Sequence, residues 1–320
     1  MRKWALFPAW SRIVAGETPF LSLEITRECP LNCPGCYAYQ PDHAGSGVSL
    51  RQIAEYRGKD LVKGVLDLTG RIRPLHVSLV GGEPLLRWRE LDELLPELNR
   101  RGIEVQLVTS AVLPVPPRWA ELKMLHLVVS VDGIEAEHDK RRHPATYDRI
   151  LANIRGHTVI VHCTVTRRMI GNGDLREFAQ FWSARGEVRK IWFSLYSPQE
   201  NEESEERLRP QDRLDVVKEL GSVREQFPKV QMPKQVRQAL LRPPQSPEQC
   251  LFAQVTTCLS ADFKTRIMPC QMGGRPVCEE CGCMAAAGLA AVGNFRLGGL
   301  VPIFSIFTLS RRIGRFVGGR

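Results

Sequence analysis

The chain has 320 residues, 43% of them hydrophobic and 25% charged, with a formal net charge of +9. This balance is typical of globular proteins and excludes disordered and collagen-like classes. No apolar run reaches the roughly 18 residues that a membrane-spanning helix needs. At the N-terminus, Pro8 and Arg12 interrupt a short apolar stretch, so we interpret it as mature protein and not as a secretory signal.

Short apolar runs then alternate with segments of helical period, which predicts an α/β fold of six βα units around a parallel sheet. The predicted strands are 20–25, 75–80, 104–109, 125–131, 158–165 and 190–195. The predicted helices are 50–65, 88–101, 147–155, 175–185 and 211–226. Ser49 and Gln52 form a capping box that predicts the start of the first helix.

Composition divides the chain into four predicted regions. The segment RPPQSPEQC carries three prolines in nine residues, which disfavours regular structure and predicts a boundary. The regions are an N-terminal extension 1–17, a barrel 18–241, a small cysteine-rich domain 242–284 and an apolar, basic tail 285–320.

Ten cysteines fall into two groups, with only Cys163 between them. The first group is Cys29, Cys33 and Cys36, and the second is Cys250, Cys258, Cys270, Cys278, Cys281 and Cys283. Disulfide frameworks belong to small secreted domains that lack a sufficient core. For a chain of this size the two groups instead predict metal or cluster binding in a reducing cytoplasm.

The first group has the spacing CxxxCxxC and follows the first predicted strand directly. A compact loop with Pro30, Pro34 and Gly35 can wrap three thiolates around one four-iron four-sulfur cluster. Three ligands for four irons leave one iron open, which is typical of a catalytic metal site. The alternative is a zinc site that takes His43 as its fourth ligand.

With the aromatic Tyr37 after the third cysteine, this segment resembles the hallmark of the radical S-adenosylmethionine superfamily. The resemblance covers roughly residues 18–230 and implies a partial, TIM-like (β/α)6 barrel. It implies that Cys29, Cys33 and Cys36 are the catalytic cluster ligands and that S-adenosylmethionine binds the open iron. Reductive cleavage would then give a 5′-deoxyadenosyl radical, with an electron donor such as flavodoxin or ferredoxin as partner.

The ends of the next predicted strands carry further matches. LVGGEPLL resembles the superfamily's GGEP motif, whose glycines let the backbone approach the amino group of the cofactor. A plain strand-to-helix turn is the alternative for this motif, and caps or turns are the alternative for the other polar strand ends. The cofactor-binding residues that the resemblance implies are Tyr37, Gly81, Gly82, Glu83, Pro84, Ser110, Ser130 and Asp132.

Other polar residues also lie near the predicted strand ends. The charged segment 138–142 is interpreted mainly as solvated charge, although the resemblance places an arginine near substrate or cofactor. His162, Thr164, Ser194 and Tyr196 are predicted to face the barrel interior, where polar residues can satisfy one another. We interpret His162 as a hydrogen-bonded core histidine and not as a base.

The second group places six cysteines in one short segment and resembles the SPASM and twitch extensions of the superfamily, which hold an auxiliary cluster. We expect one extra iron–sulfur cluster, with Cys250 as the odd cysteine. The expected ligands are Cys258, Cys270, Cys278 and either Cys281 or Cys283. Zinc is the alternative, because a hairpin with paired cysteines also describes a zinc ribbon.

The tail contains five arginines and no acidic residue from position 281 onward. As a helix it would place Thr308, Arg311, Arg312 and Arg315 on one side and apolar residues over much of the other. Such a helix can lie on an anionic membrane surface. Docking as a final helix on the barrel is the alternative, and it is the one that we favour.

These observations predict a radical enzyme of the oxidoreductase or transferase class that modifies a peptide or an apolar metabolite. The alternative is a non-catalytic iron–sulfur or zinc protein that binds a ligand or transfers electrons. We expect no nucleic-acid partner, because no basic patch is interleaved with aromatic residues. The predicted location is the cytoplasm, with peripheral membrane contact through the tail as the alternative to its docking.

Overall fold

The computed structural model describes residues 6–297 and 300–317. Its strands are β1 Phe20–Glu24, β2 His76–Val80, β3 Glu104–Thr109, β4 Leu125–Ser130, β5 Val159–Val165, β6 Val188–Leu195 and β7 Thr256–Leu259. They form one parallel sheet in the order β6-β5-β4-β3-β2-β1-β7. The sheet stays open, as in a partial barrel. The α/β class and the six predicted strands are confirmed, each within two residues of its predicted bounds.

Helices connect the strands and cover the outside of the sheet. They are α1 Leu6–Val14, α2 Gly58–Ile72, α3 Trp88–Arg100, α4 Glu135–Arg142, α5 Tyr147–Asn153, α6 Asp174–Ser183, α7 Pro210–Gln226, α8 Lys234–Leu241, α9 Leu251–Val255, α10 Met284–Gly293 and α11 Ile303–Val317. A small hairpin of β8 Arg296–Leu297 and β9 Val301–Pro302 precedes α11. Four of the five predicted helices are present, and α8 lies just before the predicted boundary, where no helix was predicted.

The helix predicted over 50–65 is wrong in its first half. The capping box exists, with the Ser49 backbone N–H donating to Gln52 Oε1 at 2.8 Å, but it starts only a one-turn 3-10 helix. Regular α-helix begins at Gly58. The intervening chain is held at Glu55, whose Oε2 accepts from the Arg27 backbone N–H at 2.8 Å and from the Thr26 hydroxyl at 2.9 Å. A contact with the first cysteine loop therefore overrides the local helix signal.

The hydrophobic core lies between the sheet and its helices. Alternate residues of β1 and β2, such as Leu21, Leu23, Val77 and Leu79, are fully buried. They pack with the apolar faces of α2 and α3 in one continuous cluster. Because the strands are parallel, their carboxyl ends meet at one edge, and the loops that carry the predicted site leave from that edge.

The cysteine-rich region contacts the two outer strands, β1 and β6, of the six-stranded part of the sheet. At one end β7 pairs in parallel with β1, a strand that was not predicted. At the other end the Leu195 backbone N–H donates to the carbonyl of Gly282 at 2.9 Å. A Cβ on Gly282 would lie 2.1 Å from the Leu195 carbonyl oxygen, so only glycine allows this approach. The region is thus attached to the barrel at β1 and at β6.

The two terminal helices pack on each other. Trp10 Nε1 donates to the Ser310 hydroxyl at 2.8 Å, and a Cβ on Gly314 would lie 2.5 Å from the Ile13 carbonyl oxygen. A final helix docks as expected, but its neighbours are α1 and α10, which lie outside the predicted barrel 18–241. Positions 1–5 of the predicted extension and 298–299 and 318–320 of the tail lie outside the described residues. Within the described chain, no helix is both long and apolar enough to cross a bilayer.

Candidate active site

The first cysteine loop leaves the carboxyl end of β1. Cys29, Cys33 and Cys36 are partly buried free thiols. Burial, together with the nearby Glu83, Cys33 and Cys36, raises the pKa of Cys29 to about 11. Burial also raises the pKa of Cys33 and of Cys36. Such thiols give up their protons when they ligate a positively charged group, so this set of donors fits an iron–sulfur cluster.

Two glycines of the GGEP segment hold this loop in place. The Gly82 and Glu83 backbone N–H groups donate to the carbonyls of Thr26 and Glu28 at 2.8 and 2.7 Å. A Cβ on Gly82 would lie 2.0 Å from the Glu28 carbonyl oxygen, and Gly81 has a φ of 133° that favours glycine. The glycines therefore allow two backbone segments to touch. Their predicted approach to the cofactor stays a prediction.

Glu83 is buried at the centre of this arrangement. Its Oε1 accepts from the Leu85 backbone N–H at 2.9 Å and from the Thr109 hydroxyl at 2.5 Å. Its Oε2 accepts from the Ser110 backbone N–H at 2.8 Å and from the Ser110 hydroxyl at 2.5 Å. Pro84 begins the 3-10 turn that follows. Ser110, predicted to contact the cofactor, is thus committed to the carboxylate that joins the ends of β2 and β3.

A second polar group lies at the end of β4. Asp132 Oδ2 accepts from Arg142 Nε at 2.7 Å and from Arg141 Nε at 3.2 Å. Burial acts to raise the pKa of Asp132, but Arg142 and Arg141 outweigh it and hold that pKa well below its usual range. Arg141 Nη2 also donates to the Pro34 carbonyl at 2.9 Å, inside the first cysteine loop. Ser130 ends β4 opposite His162.

The interpretation of 138–142 as solvated charge is therefore wrong for His138, Arg141 and Arg142, whereas Lys140 is exposed as expected. His138 is fully buried, and its Nδ1 accepts from the Asp132 backbone N–H at 3.0 Å. The side chains of Arg141 and Arg142 are only 17% and 18% exposed. Arg141 and Arg142 compensate the buried Asp132, and Arg141 also pairs with Glu206, which sequence spacing alone does not reveal.

Of the four polar residues predicted to face the interior, His162 and Ser194 bond each other, whereas Thr164 and Tyr196 bond acidic residues. His162 Nε2 lies 2.8 Å from the Ser194 hydroxyl, and burial lowers the pKa of His162 to about 4. Its interpretation as a hydrogen-bonded core histidine is confirmed. The Thr164 backbone N–H lies 3.3 Å from Asp132 Oδ1. Tyr196 donates its hydroxyl hydrogen to Glu202 and packs on the cysteine loop, where a Cβ on Gly35 would lie 3.1 Å from Tyr196 Oη.

The second cysteine group surrounds one small cavity. Its lining contains Cys250, Cys270, Cys278, Cys281 and Cys283. Cys258 lies beside this lining, in an apolar cluster with Phe252 and Ile267. The structure thus places Cys250, the odd cysteine of the sequence prediction, on the cavity lining, whereas Cys258 packs in the same apolar cluster as Cys270, Cys281 and Cys283 without lining the cavity. The ligand set itself stays a prediction.

The zinc alternative for the first group is wrong in its fourth ligand. His43 is fully buried, and its Nε2 lies 2.7 Å from Glu24 Oε1 while its Nδ1 lies 3.2 Å from the Met272 carbonyl oxygen. Each ring nitrogen of His43 therefore already has an oxygen atom as its hydrogen-bond partner. Within residues 6–297 and 300–317, no three or more His, Cys, Asp or Glu side chains surround a position for a single metal ion.

Sequence reasoning missed a buried ion pair beside the first loop. Arg87 Nη2 donates to Glu28 Oε2 and to Glu55 Oε1, each at 2.7 Å. Arg87 and Glu55 are almost inaccessible, with side-chain exposures of 9% and 3%. The available signal was the position of Arg87, three residues after Pro84, with glutamates on both sides of the first cysteine loop.

Comparison with known proteins gives one family match. Residues 23–180 match the family described as the Radical SAM superfamily. The PqqA peptide cyclase of Bradyrhizobium diazoefficiens is 35% identical over 116 residues, which are 35% of this chain and 28% of that protein. The 7-carboxy-7-deazaguanine synthase of Hyperthermus butylicus is 31% identical over 143 residues, 42% of this chain and 55% of that protein.

Solved structures show the same fold at low identity. Native anSMEcpe with bound AdoMet has a TM-score of 0.57 at 17% identity, covering 79% of this chain and 75% of that one. SuiB of Streptococcus suis bound to the precursor peptide SuiA has a TM-score of 0.60 at 14% identity, covering 85% and 65%. The chain spans less than a third of the PqqA peptide cyclases that it matches.

Proposed function

Residues 23–180 form a domain of the Radical SAM superfamily, and from this premise we propose that the protein is a radical enzyme that modifies a peptide. When bound, a four-iron four-sulfur cluster would supply the electron that cleaves S-adenosylmethionine to methionine and a 5′-deoxyadenosyl radical. The observation that carries the proposal is the first cysteine loop. The segment that leads into this loop is held by the backbone N–H groups of Gly82 and Glu83, which donate to the carbonyls of Thr26 and Glu28 and belong to the motif that resembles the superfamily's cofactor-binding motif.

The chain's own residues would hold and shield this site. Cys29, Cys33 and Cys36 would ligate the cluster, and the partly buried loop limits access of water. Glu83 fixes the ends of β2 and β3, and Asp132 with its arginines fixes the end of β4. A cofactor bound at this edge would therefore meet a rigid wall of strand ends, which favours orientation of the substrate bond to be attacked.

A peptide is the substrate class that we favour over an apolar metabolite. The supporting observation is the set of similar proteins, which includes peptide cyclases and a structure that holds a precursor peptide. These similarities cover part of each chain or lie at low identity, so they indicate a substrate class and no particular sequence. Modification of a free amino acid, with no modification of any peptide that contains it, would contradict this assignment.

We further propose that the region 242–284 holds one additional metal centre attached to the barrel 18–241. Five cysteines line the same cavity, and four thiolates complete either an iron–sulfur cluster or a zinc site. Iron–sulfur is the proposed content, and four of the five lining cysteines are the proposed ligands.

The remaining partners are also proposals. A flavodoxin or ferredoxin would reduce the cluster, and a reducing cytoplasm would keep the ten cysteines free. Peripheral contact with an anionic membrane is proposed for the terminal helices. Leu309 and Ile313 on α11 are 61% and 46% exposed, and Trp10 on α1 is 42% exposed, beside a tail that carries only positive charge.

The decisive experiment is anaerobic reconstitution with iron and sulfide, reduction with dithionite, and assay of 5′-deoxyadenosine after addition of S-adenosylmethionine. We expect product from the native protein and none from Cys33→Ala. The matched control is Cys163→Ala, which removes a buried thiol outside both groups and should retain the activity. Binding of S-adenosylmethionine without cleavage in the native protein, with and without candidate peptides, would instead support the non-catalytic alternative.

A further inference from the structure

A buried polar network joins the two cysteine regions. Glu24, at the carboxyl end of β1, is only 3% exposed, and His43 is 0% exposed. Glu24 Oε1 lies 2.7 Å from His43 Nε2, and Glu24 Oε2 accepts from the Ser260 hydroxyl at 2.6 Å. One carboxylate therefore binds both the segment after Cys36 and the segment after Cys258.

His43 extends this network toward Cys270. Its Nδ1 lies 3.2 Å from the carbonyl oxygen of Met272, two residues beyond that cysteine. Gly273 packs directly on His43, since a Cβ on Gly273 would lie 2.1 Å from the His43 carbonyl oxygen and 2.5 Å from His43 Nδ1. Both ring nitrogens of His43 therefore have an oxygen atom within hydrogen-bond distance.

The cost of burying these groups indicates that the contact is specific. A buried carboxylate and imidazole destabilise the fold unless their hydrogen bonds are complete. Both ring nitrogens of His43, both carboxylate oxygens of Glu24 and the Ser260 hydroxyl have a partner at hydrogen-bond distance. Tyr37, the residue after Cys36, packs against His43 with ring centroids 5.7 Å apart. The network thus contacts the first cysteine loop as well as the segment that carries Cys270.

We propose that Glu24 and His43 are positioning residues for the second cysteine site. Their hydrogen bonds connect that site to the first cysteine loop. This inference rests on the proposed second metal centre. The pair acts by fixing the backbone around Met272 and Ser260, and it touches no metal itself. Outer partners of this kind commonly change metal affinity by about 10- to 100-fold when they are removed.

The test isolates the second site in the full-length chain by replacing Cys29, Cys33 and Cys36 with alanine. After anaerobic reconstitution with iron and sulfide, release of iron to a ferrous chelator is timed, and the reduced centre is examined by electron paramagnetic resonance. His43→Phe keeps a ring in the pocket but loses both polar contacts. His43→Gln keeps one donor that can reach Glu24.

We expect His43→Phe to release iron about tenfold faster, with an altered resonance spectrum, and His43→Gln to be intermediate. The matched control is His157→Phe, a buried histidine just before the amino end of β5 whose ring bonds only the Val115 carbonyl. Equal release from His43→Phe and its parent, or equally accelerated release from His157→Phe, would overturn the inference. A parent that retains no iron would overturn the second centre itself, whereas loss of 5′-deoxyadenosine formation in the native protein concerns only the first.

Discussion

Ser110 donates twice to the same oxygen of Glu83, through its backbone N–H at 2.8 Å and through its hydroxyl at 2.5 Å. With the donors of Thr109 and Leu85, this makes Glu83 a carboxylate with four protein donors and 1% exposure. Glu83 and Ser110, which were both expected to contact the cofactor, thereby also join the ends of β2 and β3.

Glu83→Gln should destabilise the protein strongly. In the variant, the side-chain NH2 group would face hydrogen-bond donors. The hydroxyls of Thr109 and Ser110 can rotate to accept a hydrogen bond, but the backbone N–H groups of Leu85 and Ser110 cannot. Loss of charged hydrogen bonds with one buried donor left unsatisfied predicts a decrease of about 3 kcal/mol in the free energy of unfolding. Denaturant unfolding measures this. The control Glu97→Gln alters a partly exposed glutamate paired with Arg100 and Arg101 and should change less, whereas equal effects of the two variants would contradict the prediction.

Gly82→Ala should displace the first cysteine loop. The added methyl would meet the Glu28 carbonyl oxygen at 2.0 Å, so the backbone around Cys29 must move. We expect the iron bound at the first site after reconstitution to fall by more than half. Gly70→Ala is the matched control, because nothing lies within 4 Å of a Cβ at that helical position in α2. It should keep full iron and gain about 0.5–1 kcal/mol of stability.

Replacement of individual cysteines should separate the possible ligand sets of the second site. Cys250 lines the cavity with four other cysteines, whereas Cys258 lies beside it. We expect Cys250→Ala to lose more of the second site's iron than Cys258→Ala. Iron and zinc analysis of both variants, with the first site removed, measures this. The reverse order would restore the ligand set expected from the sequence, and stoichiometric zinc would replace the cluster.

His138 should make the protein less stable in acid. Burial first, and then Arg142, lowers the pKa of His138 from 6.5 to about 4, with Asp132 and Asp139 opposing. The folded state therefore binds the proton more weakly than the unfolded chain, and stability falls as pH drops from about 6.5 towards 4. The contribution at pH 5 is roughly 2 kcal/mol.

The measurement compares unfolding at pH 7 and pH 5 in the native protein and in His138→Gln. The variant should be weaker at pH 7 because its contacts with Asp132 and Ala145 change. Its further loss between the two pH values should be smaller by that amount. An unchanged difference between pH 7 and pH 5 would assign the acid sensitivity to other buried histidines, such as His162.

Some of the site was predictable from the sequence because its signals are local. Cys29, Cys33 and Cys36 belong to one loop, and the glycines of the GGEP segment follow a strand, so their order along the chain already places them at one sheet edge. Arg141 and Arg142 were misjudged for the opposite reason. Their partner Asp132 lies on another element, and a charged run has the same local pattern whether it is solvated or paired.

The sequence by itself determined the alternation of strands and helices, the two cysteine groups and the motif that identifies the superfamily, because hydrophobic period and residue spacing are properties of the chain. Tertiary structure decided which groups meet across long separations. The pairing of β7 with β1, the position of Cys250 on the cavity lining and the bond between Glu24 and His43 all depend on it. Such contacts follow from how the sheet and its loops pack, and no short segment encodes them.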